Sequence, residues 1–144
     1  LGKGIARNGQ KVWIWGLAAL SSLMLLACAT PGGVTAESPA DVKKAAVSER
    51  AKSRWQAVIA GDADKAYGYL SSGSKAVTSL DSFKARARLV GFRAADLESA
   101  VCEPEVCKVK FRVTLDHRLM KGLSSEVEET WVLEKGQYWY VWRL

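Results

Sequence analysis

Three cysteines, one histidine and one glutamate set among tryptophans are the residues of this 144-residue chain whose types and spacing could do chemistry. Cys102 and Cys107 enclose four residues, Pro104 among them. An even pair of thiols in an oxidising compartment reads as a disulfide. Bridging would close a small loop and restrict the unfolded chain, a contribution of about 2 kcal/mol. Redox pairs usually hold two residues between their thiols, and one His with two Cys makes no zinc set of ligand spacing. A structural disulfide is therefore expected, and no metal. His117 lies between Asp116 and Arg118. Imidazole titrates near neutral pH and could serve as a general base. A lone histidine among charges at a strand end reads more simply as a solvated turn residue. No catalytic residue is assigned.

Glu126, Glu128 and Glu129 flank Val127. Strand alternation puts Glu126 and Glu128 on one face and Glu129 on the other, with Val127, Trp131 and Leu133. A carboxylate in that company needs a cation, with Arg112, Arg93 or Arg143 as candidates, or its pKa rises. Trp55, Tyr67, Trp131, Tyr138, Trp139, Tyr140 and Trp142 add a heavy aromatic load. Alternation sends Trp139 and Val141 one way and Tyr138, Tyr140 and Trp142 the other. One set belongs to the core. The other can line a pocket or form an apolar outer sheet face for a partner. The pocket or interface candidates are Trp55, Tyr67, Phe111, His117, Glu129, Trp131, Tyr140 and Trp142.

The remaining cysteine, Cys28, closes the run from Val12 to Ala27, sixteen residues without a charge. Lys3, Arg7 and Lys11 precede it, and no acid occurs before Glu37. A positive start, an apolar middle and a small residue at the cut are the layout of a secretory signal. A spanning helix needs about 20 apolar residues, so the run is marginal for crossing a bilayer. Leu25-Leu26-Ala27-Cys28 resembles the lipobox of bacterial lipoproteins. The resemblance implies cleavage before Cys28 and acyl chains, such as palmitate, on that cysteine. Two or three chains hold stably where one does not. Ala29 in place of an aspartate implies the outer membrane, facing the periplasm. Leu1 in place of Met fits a non-standard start codon or a fragment.

On this reading residues 1–27 are a signal, 28–38 the lipidated cysteine and a tether rich in Gly and Pro, and 39–144 one domain. The signal carries 3 of the 21 cations and none of the 15 acids, so +3 remains of the net +6. That surplus is weak support for nucleic acid, which is not expected as a partner. It mildly favours anionic surfaces. No nucleotide, flavin or haem motif is present, and no cofactor is expected.

Within the domain, Ser38 and Pro39 start a helix that reaches Ala60, with Gly61 ending it. Val47, Ala51, Trp55, Val58 and Ile59 line its apolar face, and Lys43, Lys44, Glu49, Arg50, Lys52 and Arg54 fill the rest. Asp62 caps a short helix carrying Ala66, Tyr67 and Leu70. Ser71 to Ser74 is a turn. Ser79 caps a third helix with Leu80, Phe83 and Ala87 inward. Strands follow at Phe92 to Cys102, at Lys108 to Leu115, at Val127 to Leu133 and at Tyr138 to Leu144. His117 to Leu123 is a loop. Helices first and an antiparallel meander after them is α+β.

Arg54-Trp55, Gly61-Asp62, Ala66-Tyr67, Glu-x-Trp and the closing Trp139-Tyr140-x-Trp142 together look like a nuclear transport factor 2-like domain over Ala40 to Leu144. The resemblance implies a long N-terminal helix and two short ones packed on a curved antiparallel sheet around a cone-shaped pocket. Members include isomerases and dehydratases as well as non-catalytic modules, so fold does not settle function. The first expectation is a lipid-anchored periplasmic accessory or protein-interaction module without catalysis. Its partners would be the membrane, through the lipid, and a protein or second copy through the sheet face. The second is a binder of a small apolar ligand. The third is a dehydratase- or isomerase-type enzyme using His117 or Glu129.

Overall fold

A computed structural model describes residues 33–87 and 91–143. These residues belong to one compact unit, Pro31–Leu144. The expected signal at residues 1–27, Cys28 and the first half of the expected tether lie outside the described residues, as does Leu144. Four helices precede four strands: α1 Ala40–Ile59, α2 Ala63–Gly68, α3 Ser72–Val77, α4 Leu80–Ala87, then β1 Gly91–Cys102, β2 Val106–His117, β3 Met120–Glu134 and β4 Gln137–Tyr140. The strands form one antiparallel sheet in the order β1-β2-β3-β4. The class is α+β.

Helix α1 starts differently from expectation. Ser38 Oγ accepts from the Thr35 N–H and closes a turn, so it does not cap the helix, and Pro39 stands at the cap position. The other end is a Schellman motif. Gly61, at φ 74°, donates to the Val58 carbonyl, and Asp62 donates to that of Ala57. Asp62 then accepts from the Lys65 N–H and opens α2, so two helices share one junction. Ser71 to Ser74 is not a free turn. Ser71 Oγ accepts from the Ser74 N–H and caps α3, giving three short helices rather than two. Ser79 Oγ accepts from Ser82 N–H at the start of α4.

The sheet is longer than its sequence signal. The expected loop from His117 to Leu123 is a tight hairpin in which His117 pairs with Met120. Asp116 accepts from the N–H of Gly122, which has φ 69°, and a register shift follows Leu115. The polar composition there reflects strands projecting into water beyond the core. β1 carries two bulges, at Phe92/Ala94 and Leu97/Ser99, which is why its alternation is broken in the sequence. The β3–β4 turn has Lys135 at φ 50° and Gly136 at φ 80°, a two-residue turn of the kind hairpins favour. Gly33 lies against Gly136 so closely that a Cβ on Gly33 would fall 2.7 Å from the Gly136 Cα. Val34 N–H donates to the Gly136 carbonyl at 2.9 Å. The second half of the tether is thus docked on the domain.

Cys102 and Cys107 are paired across β1 and β2 and joined by a disulfide. The main core lies between α1 and the inner sheet face. Val47, Ala51 and Trp55 meet Cys107, Val109, Phe111, Val113, Trp131 and Tyr138. Ile59, expected on that face, is exposed. A smaller cluster of Ala57, Ala66, Leu70 and Phe83 sits under α2 and α4. Of the two alternatives open for the second aromatic set, a pocket lining or an apolar outer face, the outer face of β1 to β3 carries charges. Arg112 bridges Glu98 and Glu126, and Lys108 reaches Thr130 and Glu128. Strand pairing brings β1 and β3 acids beside β2 cations, and that charge ladder keeps the face in water.

A candidate ligand-binding cavity

Helix α1 buries a guanidinium. Its core-facing residues recur at 47, 51, 54 and 55, and Arg54 takes one of those places, only 4% exposed. The sequence reading set Arg54 among the solvated positions. The matching acid is Glu129 on β3, 1% exposed, held inward by the alternation that leaves Glu126 and Glu128 outside. Arg54 Nη1 donates to Glu129 Oε1 at 2.6 Å. Trp131 Nε1 donates to Glu129 Oε2 at 3.0 Å. The cation therefore comes from the helix, and none of Arg112, Arg93 or Arg143 supplies it. Those three are on the wrong side of the sheet or past its edge: Arg112 pairs with outer-face acids, Arg93 with Asp116, and Arg143 Nη2 donates to Thr130 Oγ1.

Burial pushes the Glu129 carboxyl above its ordinary range, and the Arg54 charge pulls back against it, with the Trp131, Trp55 and Arg54 donors adding to that pull. The guanidinium is also stacked, with Cζ 3.9 Å from the centre of the Tyr140 ring and 5.1 Å from that of Trp55. Tyr140 loses its own water, and its phenol is raised, chiefly by burial. Trp55 packs edge-on to Phe92 at 5.1 Å, and Phe83 edge-on to Trp142 at 5.0 Å.

These groups border a cavity of about 260 Å³ between α1, α4 and the inner sheet face. Its polar floor is Arg54 and Glu129. Its walls are Trp55, Val58, Phe83, Phe92, Val127, Tyr140 and Trp142, with Arg86 at the edge. The volume falls just under the ~300–1,000 Å³ typical of drug-sized ligand sites, and the lining is apolar with a few polar groups, as such sites are.

Of the sequence candidates, Trp55, Glu129, Tyr140 and Trp142 line this cavity. Trp131 is buried behind it, holding Glu129, and Phe111 is buried against Trp55. Tyr67 is elsewhere, packed on Phe83 with its hydroxyl donating to the Thr78 carbonyl. His117 is exposed at the end of β2 and does not line the cavity. Arg54, Val58, Phe83, Arg86, Phe92 and Val127 were not among those candidates. A cation at a core position of a helix facing an acid at a core position of a strand was the signal available for Arg54.

No known family profile matches the chain, and no curated protein matches it. Solved structures do. A SEC-C motif containing protein from Rhodopseudomonas palustris aligns at 12% identity with a TM-score of 0.54, covering 61% of this chain and 69% of its own. A SEC-C motif containing protein from Psychrobacter arcticus aligns at 8% identity with a TM-score of 0.57, covering 75% of this chain and 60% of its own. These findings overturn the nuclear transport factor 2-like resemblance and lend nothing to the lipobox one. The motifs behind the first were generic: Gly61-Asp62 is a helix stop followed by a cap, and the aromatic pairs are core packing. At such identities the likeness is one of fold, shared with two SEC-C motif containing proteins.

Proposed function

We propose that this chain binds a small, mostly apolar molecule in the cavity over Arg54 and Glu129, without transforming it. The observation carrying the reading is the cavity itself: an aromatic wall around a single ion pair, in a domain whose outer sheet face is charged. Both oxygens of Glu129 already accept hydrogen bonds, which favours a fixed wall over a proton carrier. His117 is not among the residues that line the cavity. The charge ladder on the outer face favours the cavity over that face as the working surface. Titrating the full chain with 1-ethylnaphthalene, followed by NMR shifts, tests this. Shifts confined to residues around Val58 and Val127, abolished by Val127→Phe, are expected. No shift up to the solubility limit of the probe would overturn the reading.

We also propose that the domain is held at a membrane surface, periplasm-facing at the outer membrane, through a lipid on Cys28. The uncharged run before that cysteine, with three cations ahead of it, supports this. The intact mass of the membrane-extracted protein is the test. A mass of residues 28–144 plus acyl chains, lost in Cys28→Ala, is expected. A mass that retains residues 1–27 would sink it.

A further inference from the structure

The β2–β3 hairpin ends in a turn whose composition the fold does not explain. Tight turns draw on Gly, Asn, Asp, Pro and Ser, each for a backbone reason. Here the turn residues are Arg118 and Leu119, between the paired His117 and Met120. Leu119 is 88% exposed and Met120 56%, so the core takes up neither. Single exposed apolar residues need no account. These two are adjacent and stand at the end of a strand pair. Arg118 and Lys121 flank them, both exposed. No acid occurs between Asp116 and Glu126, and Asp116 already accepts from Arg93 and from the Gly122 N–H. The tip therefore presents two apolar side chains between two cations.

We propose that this tip docks on an anionic lipid bilayer, with Leu119 and Met120 entering the edge of the acyl layer and Arg118 and Lys121 on the headgroups. Apolar side chains with cations beside them suit the interface of an anionic membrane, where burial and charge attraction add. A protein interface buries about 800 Å² on each partner, which two side chains on a narrow convex turn do not supply. A bilayer needs no matching shape and accepts a small tip. Free phosphate or nucleic acid would gain from the cations but nothing from Leu119 and Met120. Neither the cavity nor Cys28 enters the argument, so the proposal stands apart from both readings above. The contact is weak by itself and sensitive to salt, since each cation near an anionic surface is worth about a fivefold gain.

The full chain with Cys28→Ala and His117→Cys has one free thiol, because Cys102 and Cys107 are joined. A nitrobenzoxadiazole label there sits beside the tip and leaves Leu119, Met120 and both cations in place. A label reads its own surroundings, so vesicle binding through another part of the chain does not mimic the effect. Val101→Cys in the same background is the control, on an exposed residue at the other end of β1. With vesicles of mixed phosphatidylglycerol and phosphatidylcholine, the label at position 117 should shift to the blue and be quenched by brominated acyl chains. The label at position 101 should do neither. Leu119→Ser/Met120→Ser should raise the lipid needed at least ~10-fold, and Arg118→Gln/Lys121→Gln on the order of 10-fold. All four side chains are exposed, and an unchanged urea midpoint certifies the fold. No shift, equal shifts at the two positions, a shift untouched by the tip substitutions, or an equal shift with phosphatidylcholine alone would overturn the proposal. A shift that grows with protein concentration and needs no vesicles would also overturn it, assigning the tip to a second copy of the chain.

Discussion

Replacing Glu129 by Gln isolates the buried ion pair, since the shape is kept and the charge is lost. Glu129 accepts from Arg54 through one oxygen and from Trp131 through the other. An amide presents one oxygen and one NH2, so one donor would face another donor. Arg54, 4% exposed, would also keep a charge with no counterion. Removing one member of a buried pair typically costs about 3–5 kcal/mol. Here burial already penalises the carboxylate, so we expect the low end, about 3 kcal/mol, or a fall in Tm of about 12 °C at ~4 °C per kcal/mol. The assay is urea unfolding at pH 8 under oxidising conditions, on the wild type, Glu129→Gln, Arg54→Met and the double variant Arg54→Met/Glu129→Leu. Apolar replacement of both partners removes the stranded charge, so the double variant should be more stable than either single one. A cost below 1 kcal/mol for Glu129→Gln, or a double variant as damaged as the sum of the singles, would refute the reasoning. The same carboxyl sets a pH slope. Its pKa in the folded state is above the unfolded value near 4.5, so the native state binds the extra proton. Its contribution is full below that unfolded value and is lost as pH rises through the folded pKa. Glu129→Gln should flatten that part of the stability profile.

Reduction of Cys102–Cys107 should lower stability by about 2 kcal/mol, read as a shift in the urea midpoint with and without reductant. The denatured, unreduced protein should show no free thiol from this pair. Lys135→Asn should raise Tm by about 2 °C, because Asn tolerates the left-handed backbone at φ 50° better than Lys does. Gly33→Ala should push the tether off the β3–β4 turn, since its Cβ would strike the backbone of Gly136. Faster hydrogen exchange at the Val34 amide, with a cost of about 1 kcal/mol for the lost bond, checks it.

How much of this was legible depends on the physics of each element. The α+β order was readable because β2 alternates cleanly from Val109 to Leu115, and because α1 has apolar residues at regular spacing. The inward turn of Glu129 followed from the same period of two. The cysteine pair was readable from its spacing and from Pro104 at the turn. Arg54 was misplaced because a charge is assigned to water by default, and only a partner on a distant strand reverses that. The third short helix was missed because Ser71-Ser72-Gly73-Ser74 reads as a turn until Ser71 Oγ is seen capping it. β1 was blurred by two bulges, each of which resets the alternation. The tip of the β2–β3 hairpin, His117 to Leu123, was read as a loop because it has no buried face to impose a pattern, with Leu119 88% exposed.

The contact between Gly33 and Gly136 sets a length scale. If Cys28 carries a lipid, only about five residues of sequence separate it from the contact with the β3–β4 turn. Five residues reach roughly 17 Å at full stretch, against about 33 Å for a ten-residue tether. The domain is then kept on a short leash that leaves from the Gly136 end of the sheet. A globular partner much thicker than the leash could not slip between that end and the bilayer, so any visitor would have to approach from the sides or from the β2–β3 tip.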